Sequence, residues 1–245
     1  MKRFGIMFIA AAVVAFGLPA YSASSKETAS IDSFIALKDY NRALFKVKML
    51  NNPELIDWYK GYIYYGLCNA DSAILYFQKI INDKKEDDRL KLSMSEAYLW
   101  KKDYANAKRM ALSITLGTYD RSYAYLQVLE VQAKDLKWTK HYSESRNLYK
   151  EIIDSKETPE SQRVRAIVES AEIAAWQEHF DQALNELSSA LNIAPRNEAA
   201  LLLKGKILEW QGEYSKAKKI YIGIVESNSN AQEAKQRLEK LMWVK

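Results

Sequence analysis

Three side chains in the sequence have the chemistry of a catalytic or metal-binding group: Cys68, His141 and His179. A cysteine nucleophile needs a nearby histidine base, and a zinc site needs several Cys, His or carboxylate ligands at short spacing. Cys68 has no histidine near it in sequence, and the two histidines are far apart. The chain also lacks a phosphate-binding Gly loop and the Gly-x-Ser-x-Gly and His-Glu-x-x-His motifs. The residues therefore predict no enzyme, no metal site and no cofactor.

The tryptophans indicate a different chemistry, that of binding. Four of the six Trp recur at intervals of 38, 38 and 34 residues, and a charged residue of alternating sign stands four positions before each. One helical turn places such a charge beside its indole ring. The four pairs are Glu96 with Trp100, Lys134 with Trp138, Glu172 with Trp176, and Lys206 with Trp210.

Two interpretations of this series remain open. The indoles can wedge between neighbouring repeats while the charges pair between adjacent helices. Alternatively, they form a ladder of aromatic faces for an extended ligand, because aromatic rings bury a large area at low entropic cost. Trp58, Tyr62 and Tyr65 stand where they would face the same side as the ladder.

Composition points to the elements that must carry these residues. The 245 residues are 48% hydrophobic and include only 8 Gly and 4 Pro, which argues against disorder and against a turn-rich β-sandwich. One Cys excludes an intramolecular disulfide. The net charge of +5 is spread along the chain rather than concentrated, so it gives little support to nucleic-acid binding.

The chain repeats itself from about Glu27 onward as a series of amphipathic helices. Each repeat has one small residue in its second helix, and these anchor residues are separated by 30, 34, 38, 38 and 34 positions. Small residues let two helices approach closely, and large residues fill the remaining space. The anchor residues are Ala43, Ala73, Ala107, Ser145, Ala183 and Ala217.

This pattern resembles the tetratricopeptide repeat (TPR) family, whose signature is a small residue in helix A, an aromatic three positions later, a Gly-x-aromatic turn and a small residue opening helix B. The residues that carry the resemblance most clearly are Gly61, Tyr64, Ala73 and Phe77; Ala171, Phe180, Ala183 and Pro195; and Gly205, Gly212, Tyr214, Ala217 and Tyr221. The resemblance implies an all-α fold, an α-solenoid of about six helix–turn–helix repeats whose A helices line a concave groove. The predicted segments are a degenerate first repeat (27–52), a TPR superhelix (53–230) and a C-terminal capping helix (231–245).

The N-terminus predicts export. Lys2 and Arg3 precede the apolar run Phe4 to Leu18, and small residues follow Pro19. The run is shorter than the ~20 residues that a membrane-spanning helix needs, which favours a cleaved signal peptide over residues 1–22, with an uncleaved anchor as the alternative. We therefore expect a periplasmic or secreted protein with no transmembrane helix after signal removal.

The predicted function is a non-catalytic scaffold that binds an envelope-associated protein or peptide in its concave groove, with no role for nucleic acid. The phrase Trp-Gln-Gly-x-Tyr from Trp210 to Tyr214 also resembles TPR segments of exported bacterial proteins, some of them in exopolysaccharide export. That resemblance gives the alternative of a polysaccharide-binding component of an envelope export or assembly system. A spacer or homo-oligomer is a third possibility. The predicted contact residues are Trp58, Tyr62, Tyr65, Glu96, Trp100, Lys134, Trp138, Glu172, Trp176, Lys206 and Trp210.

Overall fold

A computed structural model of the chain describes residues 26–83, 87–115 and 117–243. Within these ranges it contains thirteen helices and no strand. In chain order they are α1 (Lys26–Ala36), α2 (Tyr40–Val47), α3 (Pro53–Gly66), α4 (Ala70–Asp83), α5 (Asp88–Trp100), α6 (Tyr104–Leu112), α7 (Thr118–Trp138), α8 (Tyr142–Asp154), α9 (Glu160–Trp176), α10 (Phe180–Ile193), α11 (Glu198–Trp210), α12 (Tyr214–Ser227) and α13 (Gln232–Met242).

The prediction of an all-α helical-repeat fold is confirmed. From α1 to α12 the odd-numbered helices are the A helices and the even-numbered helices the B helices of successive hairpins, and α13 packs on α12 through Ala234 and Leu241. The described residues form two compact units, unit 1 up to Ala124 and unit 2 from Tyr125 onward, with the boundary inside α7. Repeat spacing alone does not reveal this division.

Each A helix packs on its B helix at the anchor position, where all six predicted anchors are fully buried. The residue twelve positions before the anchor and the residue four positions after it face each other and share the available space. Gly61 faces the ring of Phe77, and Gly205 faces the ring of Tyr221, both at distances that leave no room for a methyl group. In the corresponding places of the fifth repeat, Ala171 accompanies the smaller Leu187. In the fourth repeat Ala133 accompanies the fully buried Tyr149, so an aromatic residue at this position does not always require glycine on helix A.

Every A–B turn contains a residue in the left-handed conformation, five positions before the anchor. The N–H of the following residue bonds to the carbonyl five residues back, as when Asp103 N–H donates to Tyr98 O at 2.9 Å, which closes a Schellman-type end. Glycine adopts this conformation at the lowest cost, yet only one of the six is glycine. The six residues are Lys38, Cys68, Lys102, Lys140, Glu178 and Gly212.

The residue after this position caps helix B, and the two units do so differently. In unit 1 the side chains of Asp39, Asn69 and Asp103 each accept a hydrogen bond from a backbone N–H three residues later. In unit 2 His141 and His179 hold the same place and make no such bond. A helix without a side-chain cap leaves more of its first N–H groups unpaired.

The N-terminal part of the chain carries two of the sequence predictions, the degenerate first repeat and the signal peptide. Helices α1 and α2 form a hairpin in the segment predicted to be a degenerate first repeat. The predicted signal peptide, residues 1–22, lies outside the described residues. Among the helices that the structure describes, none is long and apolar enough to cross a membrane.

Candidate functional site

The predicted contact residues of unit 1 lie in its core. Trp58, Tyr62 and Tyr65 on α3 and Glu96 on α5 are each less than one-tenth exposed. Trp58 contacts Tyr62 with ring centroids 4.6 Å apart, and Tyr62 in turn contacts Phe77 of α4. Helix α3 is apolar on most of its circumference, so these rings are taken up by packing. They offer a ligand almost no surface.

Glu96 is the least expected member of this group, because it is an acid in an aromatic environment. Its carboxylate accepts a hydrogen bond from the hydroxyl of Tyr65. Burial raises the pKa of Glu96 to about 7, and the Tyr65 hydrogen bond only partly offsets this effect. Burial and the neighbouring carboxylate also raise the pKa of Tyr65. Trp100 closes the group, its ring 4.8 Å from that of Tyr65.

The tryptophans of unit 2 are placed differently. Trp138, Trp176 and Trp210 are the last residues of α7, α9 and α11, and 73%, 37% and 48% of their surfaces are exposed. The rings of Trp138 and Trp176 lie 5.8 Å apart. We call these three residues the tryptophan strip. It lies along the A–B turns, and it is the part of the predicted ladder that a ligand can reach.

The strip also packs between repeats. The ring of Trp176 meets Tyr142, which begins the preceding B helix, with centroids 6.3 Å apart. Trp210 meets Phe180 in the same way at 6.2 Å. The second repeat has Gly66 at the tryptophan position, and a methyl group there would clash with the ring of Tyr40, the corresponding aromatic of the first repeat. Trp176 and Trp210 therefore pack against the preceding repeat and also remain partly exposed to solvent.

A buried ion-pair cluster lies beneath the strip. Lys137 is 3% exposed, and its Nζ bonds to Glu169 Oε2 at 2.6 Å and to the carboxylate of Glu172. The same ammonium group lies 4.7 Å from the centre of the Trp176 ring and 5.8 Å from that of Trp138. Cation–π attraction and the two carboxylates together hold α7 against α9.

The other two charges of the predicted series are also paired. Lys134 bonds to Glu130 of its own helix at 2.8 Å, and Lys206 reaches Glu233 of α13 at 2.6 Å. Burial tends to raise the pKa of Glu130, but the hydrogen bond and charge of Lys134, aided by Arg165, outweigh it and lower that pKa. Glu96 and Glu172 therefore bond to a neighbouring A helix, and Lys206 bonds to α13. Lys134 bonds only within its own helix among the four predicted charges.

Two of their partners, Tyr65 and Lys137, stand eight residues before an anchor. Glu209 stands at the same position but bonds to Arg237 of α13 at 3.3 Å, whereas the partner of Lys206 is Glu233. The sequence predicts Tyr65 only as an aromatic contact residue and predicts no role for Lys137 or Glu209. Their recurrence at one register position is the signal that identifies them.

The residues with the most reactive chemistry lie in turns. Cys68 is exposed at the left-handed position of the α3–α4 turn, and His141 and His179 are the N-cap residues that precede α8 and α10. Within the described part of the chain, no group of three or more His, Cys, Asp or Glu side chains could hold a metal ion.

Comparison with known proteins bears on the second unit. Residues 176–241 match the tetratricopeptide repeat family model. The repeat resemblance is supported there by an independent match. No curated protein matches the chain.

Solved structures with a similar arrangement of helices have low sequence identity. A tetratricopeptide repeat protein from Parabacteroides merdae is 13% identical, with a TM-score of 0.47, and the match covers 89% of this chain and 98% of that one. Pseudomonas aeruginosa pilF is 13% identical, with a TM-score of 0.47 and coverage of 83% and 89%. The TPR domain of P58(IPK) is 17% identical, with a TM-score of 0.43; the match covers 89% of this chain and spans 64% of that one.

Proposed function

We propose that the chain is an exported, non-catalytic helical-repeat scaffold that binds another protein, and that the tryptophan strip is part of its contact surface. The observation that carries the proposal is the exposure of Trp138, Trp176 and Trp210 in one row, while the other predicted aromatic anchors are buried or half-buried. Large aromatic residues that remain exposed in a cluster are typical of binding surfaces.

The strip suits a protein partner because its side chains are already fixed. The contacts of Trp176 with Tyr142 and of Trp210 with Phe180 restrict the indoles before a partner arrives. The ammonium group of Lys137 restrains Trp138 and Trp176 from below. Ordering these rings in advance reduces the entropy that binding would otherwise cost.

A photo-crosslinking experiment tests this surface. Trp138 is replaced by p-benzoylphenylalanine in the chain expressed in its native host, and the adducts are identified after irradiation. We expect a discrete adduct with an envelope protein. Trp243 is the matched control, because it is 89% exposed and is the C-cap residue that follows α13, outside the strip. Equal adducts from both positions would argue against a specific strip contact.

Affinity measurements with the cross-linked partner complete the test. The double variant Trp138→Ala/Trp176→Ala should lose capture of that partner, whereas Trp243→Ala should retain it. Circular dichroism and thermal unfolding establish that each variant is folded. Unchanged capture by a folded double variant would refute the assignment of the strip.

The export part of the proposal rests on the sequence before Ser24, which lies outside the described residues. Cell fractionation and N-terminal sequencing address it separately. We expect periplasmic or secreted protein that begins at about Ala23. A membrane-bound chain that retains Lys2 and Arg3 would instead support the anchor alternative.

Polysaccharide binding is the second candidate, and one observation favours it. An exposed polar side chain directly follows each strip residue, namely Thr139, Gln177 and Gln211. A flat apolar ring beside a hydrogen-bonding group suits a sugar ring as well as a peptide. Titration of glycan oligomers, followed by tryptophan fluorescence, distinguishes the two candidates, because a protein-specific strip should show no change.

A further inference from the structure

A second surface of unit 2 has the properties of a ligand site, and sequence reasoning did not find it. A cleft of about 680 Å³ runs between the B helices α8 and α10, with Ile167 and Ser170 of α9 among its lining residues. This volume lies within the range of small-molecule sites, ~300–1,000 Å³. The indole rings of the strip do not line the cleft.

The walls of the cleft carry many polar side chains, and their charges nearly cancel. Its two basic side chains are paired with its two acidic ones: Arg146 bonds to Glu186, and Lys150 bonds to Asp154 at 2.6 Å. Such a balance does not favour a highly charged ligand such as a polyphosphate. Much of the remaining lining consists of hydroxyl and amide side chains, which both donate and accept hydrogen bonds. These are Ser143, Asn147, Ser170, Gln177, Gln182 and Ser189.

One carboxylate oxygen in the wall is incompletely paired. Glu186 Oε1 accepts hydrogen bonds from Arg146 and, at 3.1 Å, from Gln182. Glu186 Oε2 is buried and has no hydrogen-bond partner among the described residues. A buried acceptor without a partner costs about 1–3 kcal/mol. Turning this carboxylate so that the free oxygen faces the cleft gives up the bonds of Oε1 to Arg146 and Gln182, so the turn is favourable only when a ligand donor replaces them.

The donor that reaches this oxygen must project from the ligand and must be neutral. A ligand ammonium group would approach the guanidinium of Arg146, which bonds to the same carboxylate. A backbone N–H donates but cannot accept, so it cannot serve both Glu186 and the adjacent donor Arg146. A hydroxyl group projects, donates to Glu186, and accepts from an adjacent donor such as Arg146. Two neighbouring hydroxyl groups on one sugar ring can therefore donate to Glu186 and accept from Arg146.

We infer that the α8–α10 cleft binds a sugar unit, with a ligand hydroxyl donating to Glu186 and further hydroxyls meeting the amides of Asn147, Gln177 and Gln182. The site lies outside the tryptophan strip, and the inference does not depend on protein binding there. A glycan that occupies the cleft leaves the strip available to a protein partner.

Isothermal titration of the mature chain tests the cleft with four defined probes, maltotriose, cellotriose, chitotriose and mannotriose. We expect at least one of them to bind at a single site. Glu186→Gln exchanges the free acceptor for a donor and should weaken binding roughly tenfold or more. Asn147→Ala, on the opposite wall, should also weaken it and provides a second test if Glu186→Gln unfolds.

Three controls separate the possible outcomes. Asp181→Asn changes an exposed acid on α10 that does not line the cleft, and it should leave binding unchanged. The strip variant Trp138→Ala/Trp176→Ala should bind the sugar as the wild type does, so failure of the strip proposal remains distinguishable. Binding by none of the four sugars, or binding insensitive to both cleft variants, would overturn the inference. Tighter binding of trialanine, lost in Glu186→Gln, would reassign the cleft to peptides.

Discussion

A methyl group added to Gly61 would lie 2.6 Å from ring carbons Cδ1 and Cε1 of Phe77. The two residues belong to α3 and α4, and Phe77 is fully buried. The glycine is therefore required for space, and the ring can occupy its position only because α3 has no side chain at that point.

We expect Gly61→Ala to lower the free energy of unfolding by about 1–3 kcal/mol, because the ring or the helix must move. Adding Phe77→Leu should cost less in this background than in the wild type, since the corresponding pair of the fifth repeat is Ala171 with Leu187. Urea unfolding of the two single variants and the double variant measures this coupling. Gly223→Ala is the control. The added methyl group would meet no atom within 4 Å, and the substitution should stabilise α12 by up to ~1 kcal/mol.

The left-handed turn residues make a second prediction. Lys140 has φ of 64°, and glycine adopts this conformation without the penalty of a side chain. Lys140→Gly should raise the free energy of unfolding by about 0.5–1 kcal/mol, while Lys140→Ala should change it little. Conversely, Gly212→Ala should lower the free energy of unfolding, because Gly212 has φ of 77°, a conformation that is unfavourable for a residue with a side chain. Equal stabilities of the Gly and Ala variants at position 140 would contradict this explanation.

The difference between the helix caps of the two units gives a third prediction. His179 makes no capping bond to α10, whereas Asp103 accepts one from Asn106 N–H at 3.1 Å. His179→Asp should therefore stabilise the chain by about 0.5–1 kcal/mol through the new cap and the helix dipole. Asp103→Ala should cost about 1 kcal/mol. Thermal unfolding of both variants tests the pair, and a loss of stability in His179→Asp would show that the turn cannot orient a capping carboxylate.

Glu96 predicts the pH dependence of stability. Its pKa is about 7 in the folded chain, compared with 4.5 as its ordinary value. Between these values the unfolded chain releases a proton that the folded chain retains, so the free energy of unfolding falls as pH rises from about 4.5 to about 7. The loss is on the order of a few kcal/mol and is complete above that range.

Glu96→Gln should remove this dependence, and the variant should be more stable than the wild type at pH 8. Denaturant unfolding at pH 5 and pH 8 measures the effect, with Glu226→Gln, at an exposed position of α12, as the control. A wild-type stability that rises across this interval, together with an unchanged slope in Glu96→Gln, would refute burial of the acid.

Two lysine–carboxylate pairs of unit 2 differ in burial and should differ in effect. Lys137 is 3% exposed between Glu169 and Glu172, whereas the side chain of Lys150 is 73% exposed beside Asp154. Lys137→Ala should cost about 3 kcal/mol or more, because it leaves partly buried carboxylates without their cation. Lys150→Ala should cost less than ~1 kcal/mol. Lys137→Ala should also broaden the tryptophan fluorescence, since the ammonium group restrains both rings.

The sequence by itself determined the helices, their pairing and the anchor residues, because small and large residues recur at one register in every repeat. It also located the A–B turns, since Gly212 and Tyr214 stand at fixed positions relative to their anchor. These features depend on neighbours within one hairpin, and local spacing is enough to specify them.

Only the tertiary structure decided which aromatic residues are accessible. Trp100 and Trp138 stand at the same position relative to their anchors, yet Trp100 is half-buried against Tyr65 of the preceding repeat, whereas Trp138 is 73% exposed. The pairing of Lys137 with Glu172, the burial of Glu96 and the cleft beside Glu186 have the same origin. Each of these three features brings together residues of different hairpins, and the distance between those residues depends on how the hairpins stack.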